Sequence, residues 1–262
     1  MKKITVVIAL LCSIILFAGC TQQPQDSGPD YADNEVMAAI ADGLESRFDV
    51  VDKHEQTGDA QTKDGYAEAI QVEIDAIAPF RDRQFEDSKL QETVLSYANL
   101  LDDSLELLDQ YPVDSIEFYD AWNAIYDERT VALKLFVETY GLEVDPAHEE
   151  TLNDLLLNAN TVEEKTEVED AINQLVASLA FEKVDEGYGM ATYTAVAENT
   201  TEIGFEDVGI TLALYDKDGV KIEETYAGTS SWPVGEKVRF EAFGASDASE
   251  VKTSVSYYSV VE

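Results

Sequence analysis

Arg129 is the residue whose position in this sequence best suggests a binding site. It lies between Ile125 and Leu133 on an apolar helical stripe that also carries Trp122. A guanidinium on such a stripe either extends its charged end to solvent or meets a buried carboxylate, because a buried charge needs a partner. Arg129 is therefore predicted to form an ion pair that fixes the register of a helix, or to anchor a ligand beside Trp122.

The other titratable residues do not have the spacing of a catalytic, cofactor or metal site. His54 and His148 are the only two histidines, and a zinc site needs more histidine or cysteine ligands. HExxH, GxSxG and glycine-rich phosphate-binding motifs are absent from the sequence. The 54 acidic residues are too many for any pair of them to indicate a glycosidase. We therefore expect no catalytic residues, no cofactor and no metal.

Cys20 is the one residue for which the sequence predicts a specific chemical modification. An uncharged segment from Ile4 to Phe17 follows two lysines and is shorter than the roughly 20 residues that a membrane-spanning helix needs. The segment leads into Leu-Phe-Ala-Gly-Cys, which resembles the lipobox of prokaryotic lipoproteins. Phe17 stands three residues before the cysteine, where leucine is commonest.

This resemblance implies cleavage between Gly19 and Cys20 and acylation of Cys20. Membrane lipid would then be one partner of the protein, with the folded part on the extracytoplasmic face of a Gram-positive or archaeal cell membrane. Because Cys12 lies in the segment to be removed, the mature chain would have neither a free thiol nor a disulfide. The alternative is an ordinary secretory signal in which Cys20 occurs by chance.

The charge of the chain excludes one class of partner. With 54 acidic and 17 basic residues, the net charge is −37. Such a surface repels phosphates and offers few cations to replace their counterions, so we expect no nucleic-acid binding. The acidity indicates a solvated or salt-adapted surface, and the alternative is attraction of a protein partner with a basic surface.

Apolar residues recur every three or four positions from Asp33 to about Leu179, which predicts amphipathic helices. Pairs of residues typical of capping boxes mark several starts, including Ser88 with Gln91 and Thr161 with Glu164. Short connections between the helices favour an antiparallel bundle. The six predicted helices carry stripes over 36–51, 66–77, 90–108, 118–140, 152–156 and 168–179.

The pattern changes to alternation after Phe181, which predicts β-strands. Ile210, Leu212 and Leu214 share one face of a strand, and the segment 216–219, with sequence Asp-Lys-Asp-Gly, is predicted to be a tight turn. A second turn is predicted at 233–235, and six or seven strands in all favour a β-sandwich.

The segment from Leu212 to Gly219 also carries a family resemblance. Together with Asn199 in a preceding turn and the segment 233–236 ahead of Phe240, it resembles the FxLYD-type domain over residues 186–260. Leu212 replaces the phenylalanine of that motif. The resemblance implies an immunoglobulin-like (Ig-like) sandwich of the kind found in prokaryotic surface lipoproteins, usually without an assigned activity.

The sequence thus predicts an α+β chain with two domains, an N-terminal antiparallel α-helical bundle followed by an Ig-like antiparallel β-sandwich. Its segments are a signal peptide (1–19), a lipidated tether (20–31), an acidic bundle (32–180) and the sandwich (181–262). The predicted function is non-catalytic binding or scaffolding in the cell envelope. The alternatives are a small-ligand-binding or transport-accessory lipoprotein with a site near Arg129 and Trp122, and an envelope enzyme that uses carboxylates.

Overall fold

The computed structural model describes residues 30–245 and 247–261 as a helical region followed by two small antiparallel sheets. The α+β class predicted from the sequence is therefore confirmed. The predicted signal peptide, the cleavage position at Gly19 and the acylated Cys20 lie outside the described residues. Within those residues, no helix combines the length and the apolar character that crossing a membrane requires.

The helical region has five α-helices and one short 3₁₀ helix in its described part. The helices are α1 (Asp33–Thr57), α2 (Lys63–Ile77), the 3₁₀ helix (Ala78–Phe80), α3 (Ser88–Gln110), α4 (Ile116–Tyr140) and α5 (Glu149–Ala177). Each α-helix packs against the next one in the chain. Their apolar stripes enclose one core, which includes Ile40, Ile70, Leu101, Phe118 and Phe136.

The starts of the helices differ in detail from the predicted capping boxes. Helix α3 is capped by Asp87, whose carboxylate accepts from the backbone N–H groups of Lys89 and Leu90. The segment predicted as a fifth and a sixth helix is one continuous helix, α5. The Thr161 hydroxyl donates to the carbonyl of Leu157, one turn earlier in the same helix. Threonine makes this bond in the interior of helices, so Thr161 does not mark the start of one.

Helices α1 and α2 run antiparallel, since Arg47 pairs with Glu73 and Lys53 with Glu68. Helix α5 contacts α4 through Asn158, whose side-chain amide donates to Asp127 and Thr130, and through Glu163, which accepts from Lys134.

The β region contains two three-stranded sheets. The strands are β1 (Glu182–Gly187), β2 (Met190–Glu198), β3 (Phe205–Tyr215), β4 (Lys221–Trp232), β5 (Lys237–Ala245) and β6 (Glu250–Val260). One sheet has the order β1-β2-β5 and the other β4-β3-β6, with antiparallel neighbours throughout. The inward-facing side chains of both sheets, among them Tyr193, Leu212, Trp232 and Phe240, form a second core.

Helix α5 contributes to both cores. Leu155, near its start, belongs to the helical core, whereas Ile172 and Val176, near its end, are buried in the core between the sheets. The hydroxyl of Thr253 on β6 also donates to the carbonyl of Val176 at 3.0 Å. The end of the predicted helical region therefore packs with the strands rather than with the other helices.

The predicted turns lie where the sequence indicated. In the turn at 216–219 the Asp216 carbonyl accepts from the Gly219 N–H at 3.1 Å, and Gly219 has a φ of 76°. Asp216 also accepts from the N–H groups of Asp218 and Val220 through its carboxylate, so this residue is used within the turn. Gly235 has the same left-handed φ of 76° in the second turn.

Candidate functional site

A pocket of about 320 Å³ opens in the helical region between α1, α2, α4 and α5. Arg47 and Phe48 line it from α1, Tyr66 from α2, and Trp122 and Arg129 from α4. Helix α5 adds Thr151 and Leu155. The volume of the pocket is in the range of known small-molecule sites, which is about 300–1,000 Å³.

A buried ionic cluster lies at the base of this pocket and is centred on Glu73 of α2. The Glu73 carboxylate is fully buried and accepts from Nη1 of Arg47 at 2.6 Å. Nη2 of Arg129, a residue that is 3% exposed, donates to both carboxylate oxygens at 2.8 and 3.0 Å. The hydroxyl of Tyr97 on α3 donates to the same carboxylate. Four helices thus meet at one acidic side chain.

The close approach of α1 to α2 lets Arg47 reach Glu73. Gly43, one turn before Arg47, faces α2, and a Cβ at that position would lie 2.9 Å from Cβ of Ala76 and 3.4 Å from Cα of Glu73. Such a separation is below ordinary van der Waals contact, so a side chain here would push the helices apart. Glycine at position 43 is therefore needed for the geometry of the cluster.

The cluster holds Glu73 in its ionised form. Burial alone would raise the pKa of its carboxyl, but the charges of Arg129 and Arg47 and the hydrogen bonds from Arg129 and Tyr97 outweigh burial, and the pKa lies below its ordinary value. Burial raises the pKa of the Tyr97 hydroxyl well above 10, so Tyr97 stays neutral. With two guanidinium groups and one carboxylate, the base of the pocket carries one surplus positive charge.

Two nitrogens of residues that line the pocket have no hydrogen-bond partner among the described residues. One is Nε of Arg129, and the other is Nδ1 of His54, a residue that also lines the pocket. The other ring nitrogen of His54 contacts the Glu68 carboxylate at 2.8 Å. Buried polar atoms are nearly always hydrogen bonded, so these two nitrogens have hydrogen-bonding capacity that no described residue uses.

An aromatic group forms one wall of the pocket. The rings of Tyr66 and Trp122 have centroids 4.7 Å apart, and Phe118 stacks behind Trp122 at 5.6 Å. Burial raises the pKa of Tyr66, so its hydroxyl is neutral at ordinary pH. Tyr126 lies further along α4 in the same pocket, half-buried. These rings give the pocket an apolar wall in addition to its charged residues.

The structure brings Arg129 and Trp122, the two residues singled out in the sequence, to this one pocket. Arg129 meets a buried carboxylate, as one of the two expectations for it required. Glu73, Arg47 and Tyr97 were missed as site residues. A signal for two of them was present, because Glu73 lies between Ile70 and Ile77, and Arg47 follows Leu44 by three residues, on apolar stripes like that of Arg129.

The other titratable residues form no comparable site in the part of the chain that the structure describes. No group of three histidine, cysteine, aspartate or glutamate side chains is arranged to hold a metal ion within residues 30–245 and 247–261. His148 packs its ring against Phe48 and lies 3.7 Å from the Asp49 carboxylate. No protein-family model matches the chain, and a search of curated proteins finds no significant relative.

Proposed function

We propose that the protein is a non-catalytic, membrane-anchored lipoprotein whose helical region binds a small organic molecule in the pocket between α1, α2, α4 and α5. The observation that carries this proposal is the buried Arg129, which lines the pocket and whose Nε has no partner among the described residues. Of the functions considered from the sequence, small-ligand binding accounts for this feature, whereas scaffolding does not require a pocket.

The composition of the pocket supports this function. Ligand sites combine mostly apolar walls with a few polar groups that fix the orientation of the ligand. Here Phe48, Tyr66 and Trp122 provide apolar surface, and Arg47 and Arg129 provide the polar groups. The two arginines are held by Glu73, so their positions are set before a ligand enters. Such pre-organisation reduces the entropy lost on binding.

The remaining parts of the chain would place this site outside the cell. Acylation of Cys20 anchors the protein to membrane lipid, and the tether at 20–31 separates the pocket from the lipid surface. The two sheets belong to an Ig-like sandwich of FxLYD type that serves as a spacer or adhesion module. Their shared core and antiparallel pairing support that assignment. A protein partner with a basic surface would be attracted by the net charge of −37.

Ligand binding is tested by the thermal unfolding of the protein with a chemically diverse panel of small metabolites. A ligand that binds only the folded state raises the unfolding temperature. Thr151→Trp fills the pocket from an exposed position of α5 and should abolish every such shift. Thr166→Trp is the matched control, because it makes the same change at an exposed position further along α5. A panel without any shift, or shifts that survive Thr151→Trp, would contradict the proposed function.

Anchoring is tested separately with Cys20→Ser. The variant should be released from the membrane fraction, whereas the wild-type protein should remain there. Release of both proteins, or retention of both, would contradict lipidation at Cys20.

A further inference from the structure

The proposed pocket has a charge balance that selects among ligands. Arg47, Arg129 and Glu73 together carry one surplus positive charge, and they lie in a buried environment where charge is poorly screened. An anionic group of the ligand would balance the surplus.

Hydrogen-bond donors are available for such a group. Among the described residues, Nε of Arg129 has no acceptor, and the Arg47 guanidinium donates from Nη1 to Glu73. Each guanidinium has five N–H groups in a planar fork, so both arginines have donors beyond those that Glu73 uses. A carboxylate matches this planar arrangement.

The number of charges on the ligand follows from the residues around the mouth of the pocket. Asp52 and Glu55 line the pocket from exposed positions on α1. These two carboxylates do not add to the one surplus positive charge that Arg47, Arg129 and Glu73 carry. They repel a ligand group that brings more than one negative charge. A phosphate monoester carries about −1.5 to −2 at neutral pH, so it fits this site less well than a carboxylate does.

The aromatic wall determines the rest of the ligand. Tyr66 and Trp122 present ring surface within the same pocket as the two arginines. A planar apolar group gains both burial and ring contacts on such a wall.

From these observations, and resting on the proposed ligand-binding function, we propose that the pocket binds an organic monoanion in which one carboxylate is attached to a planar apolar body. The carboxylate contacts Arg129 and Arg47, and the planar body lies against Tyr66 and Trp122.

The test uses pairs of probes that differ only in charge. Calorimetric titration compares cinnamate with cinnamamide, and benzoate with benzamide and phenyl phosphate. The carboxylates should bind at least about tenfold more tightly than the matched amides, since a hydrogen bond to a charged group contributes about 1.5–3 kcal/mol. They should also bind more tightly than phenyl phosphate. Amides or phenyl phosphate that bind as well as the acids would overturn the assignment.

Arg47→Gln provides the second arm. It removes the surplus charge but leaves Glu73 with Arg129 and Tyr97, so the cluster keeps its ion pair. The preference for acid over amide should disappear in this variant. Arg81→Gln, which changes an arginine paired with Asp102 outside the pocket, should keep the preference. A preference that survives Arg47→Gln would overturn the proposal.

The outcomes also separate this inference from the general ligand-binding function. If none of the acids binds but another compound of the metabolite panel raises the unfolding temperature in a manner sensitive to Thr151→Trp, the carboxylate assignment is wrong and the pocket function stands. If no compound binds at all, both proposals fail.

Discussion

Replacing Glu73 with glutamine should destabilise the protein strongly, although the two side chains have nearly the same shape. The Glu73 carboxylate is fully buried and accepts hydrogen bonds from Arg47, Arg129 and Tyr97. Glu73→Gln leaves two guanidinium groups beside each other in the interior without a countercharge. Breaking a buried ion pair from one side costs about 3–5 kcal/mol.

The size of the expected effect is measurable by thermal and by urea-induced unfolding. For a chain of this size, each kcal/mol lowers the midpoint of thermal unfolding by about 2–4 °C, so Glu73→Gln should lower it by about 6–20 °C. Circular dichroism at the helical signal reports the transition, and urea unfolding at fixed pH gives the free-energy difference independently.

Glu68→Gln is the matched control on the same helix. The Glu68 side chain is 46% exposed and pairs with Lys53 and His54 at the surface. Its loss should change the unfolding midpoint little, because solvent compensates an exposed charge. If Glu73→Gln destabilises the protein no more than Glu68→Gln does, the surplus-charge argument for the pocket is wrong as well.

Three further predictions concern pH, helix packing and the β region. Because the pKa of Glu73 is lower in the folded than in the unfolded chain, the stability that the ionised carboxylate contributes is complete above about pH 4.3 and declines as the pH falls further toward the folded-state pKa. The difference in unfolding free energy between wild type and Glu73→Gln, measured in urea, should therefore shrink on acidification. A difference that stays constant with pH would contradict this prediction. Gly43→Leu should destabilise the helical region by about 1–3 kcal/mol through the contact with Ala76. Helix propensity alone predicts the opposite, a higher free energy of unfolding in urea, and that result would contradict the packing argument. Asn199→Ala should cost about 1–3 kcal/mol, because the buried Asn199 amide donates to the carbonyls of Ile203 and Trp232 at 2.8 and 2.9 Å; an unchanged near-ultraviolet unfolding curve would refute this role.

The sequence predicted the elements of the fold better than their connections in space. The three- and four-residue spacing of apolar residues located the helices, and alternation located strands such as β3, because both patterns depend on neighbours along the chain. The start predicted at Thr161 was wrong, since serine and threonine also occur inside helices with their hydroxyls bonded to the preceding turn. The packing of α5 in two cores depends on contacts between distant segments, which no local pattern specifies.

The candidate site was predictable in part for the same reason. Arg129 and Trp122 stood out because a charge and a large ring occur on one apolar stripe. Glu73 occupies an equivalent position on α2, but one acidic residue among 54 is inconspicuous until its partner is known. The pairing joins residues 56 positions apart, and only the packing of α1, α2 and α4 brings them together.

The shared helix α5 makes the helical and β regions mechanically continuous. At 29 residues it is a rod of about 43 Å, with Thr151 and Leu155 at the pocket and Ile172 and Val176 between the sheets. Because the two ends of this helix pack in different cores, a movement of one end away from its core would also change the packing of the other end. A ligand that shifts the start of α5 at the pocket would thus also shift or restrain the end of α5 where it packs among the strands.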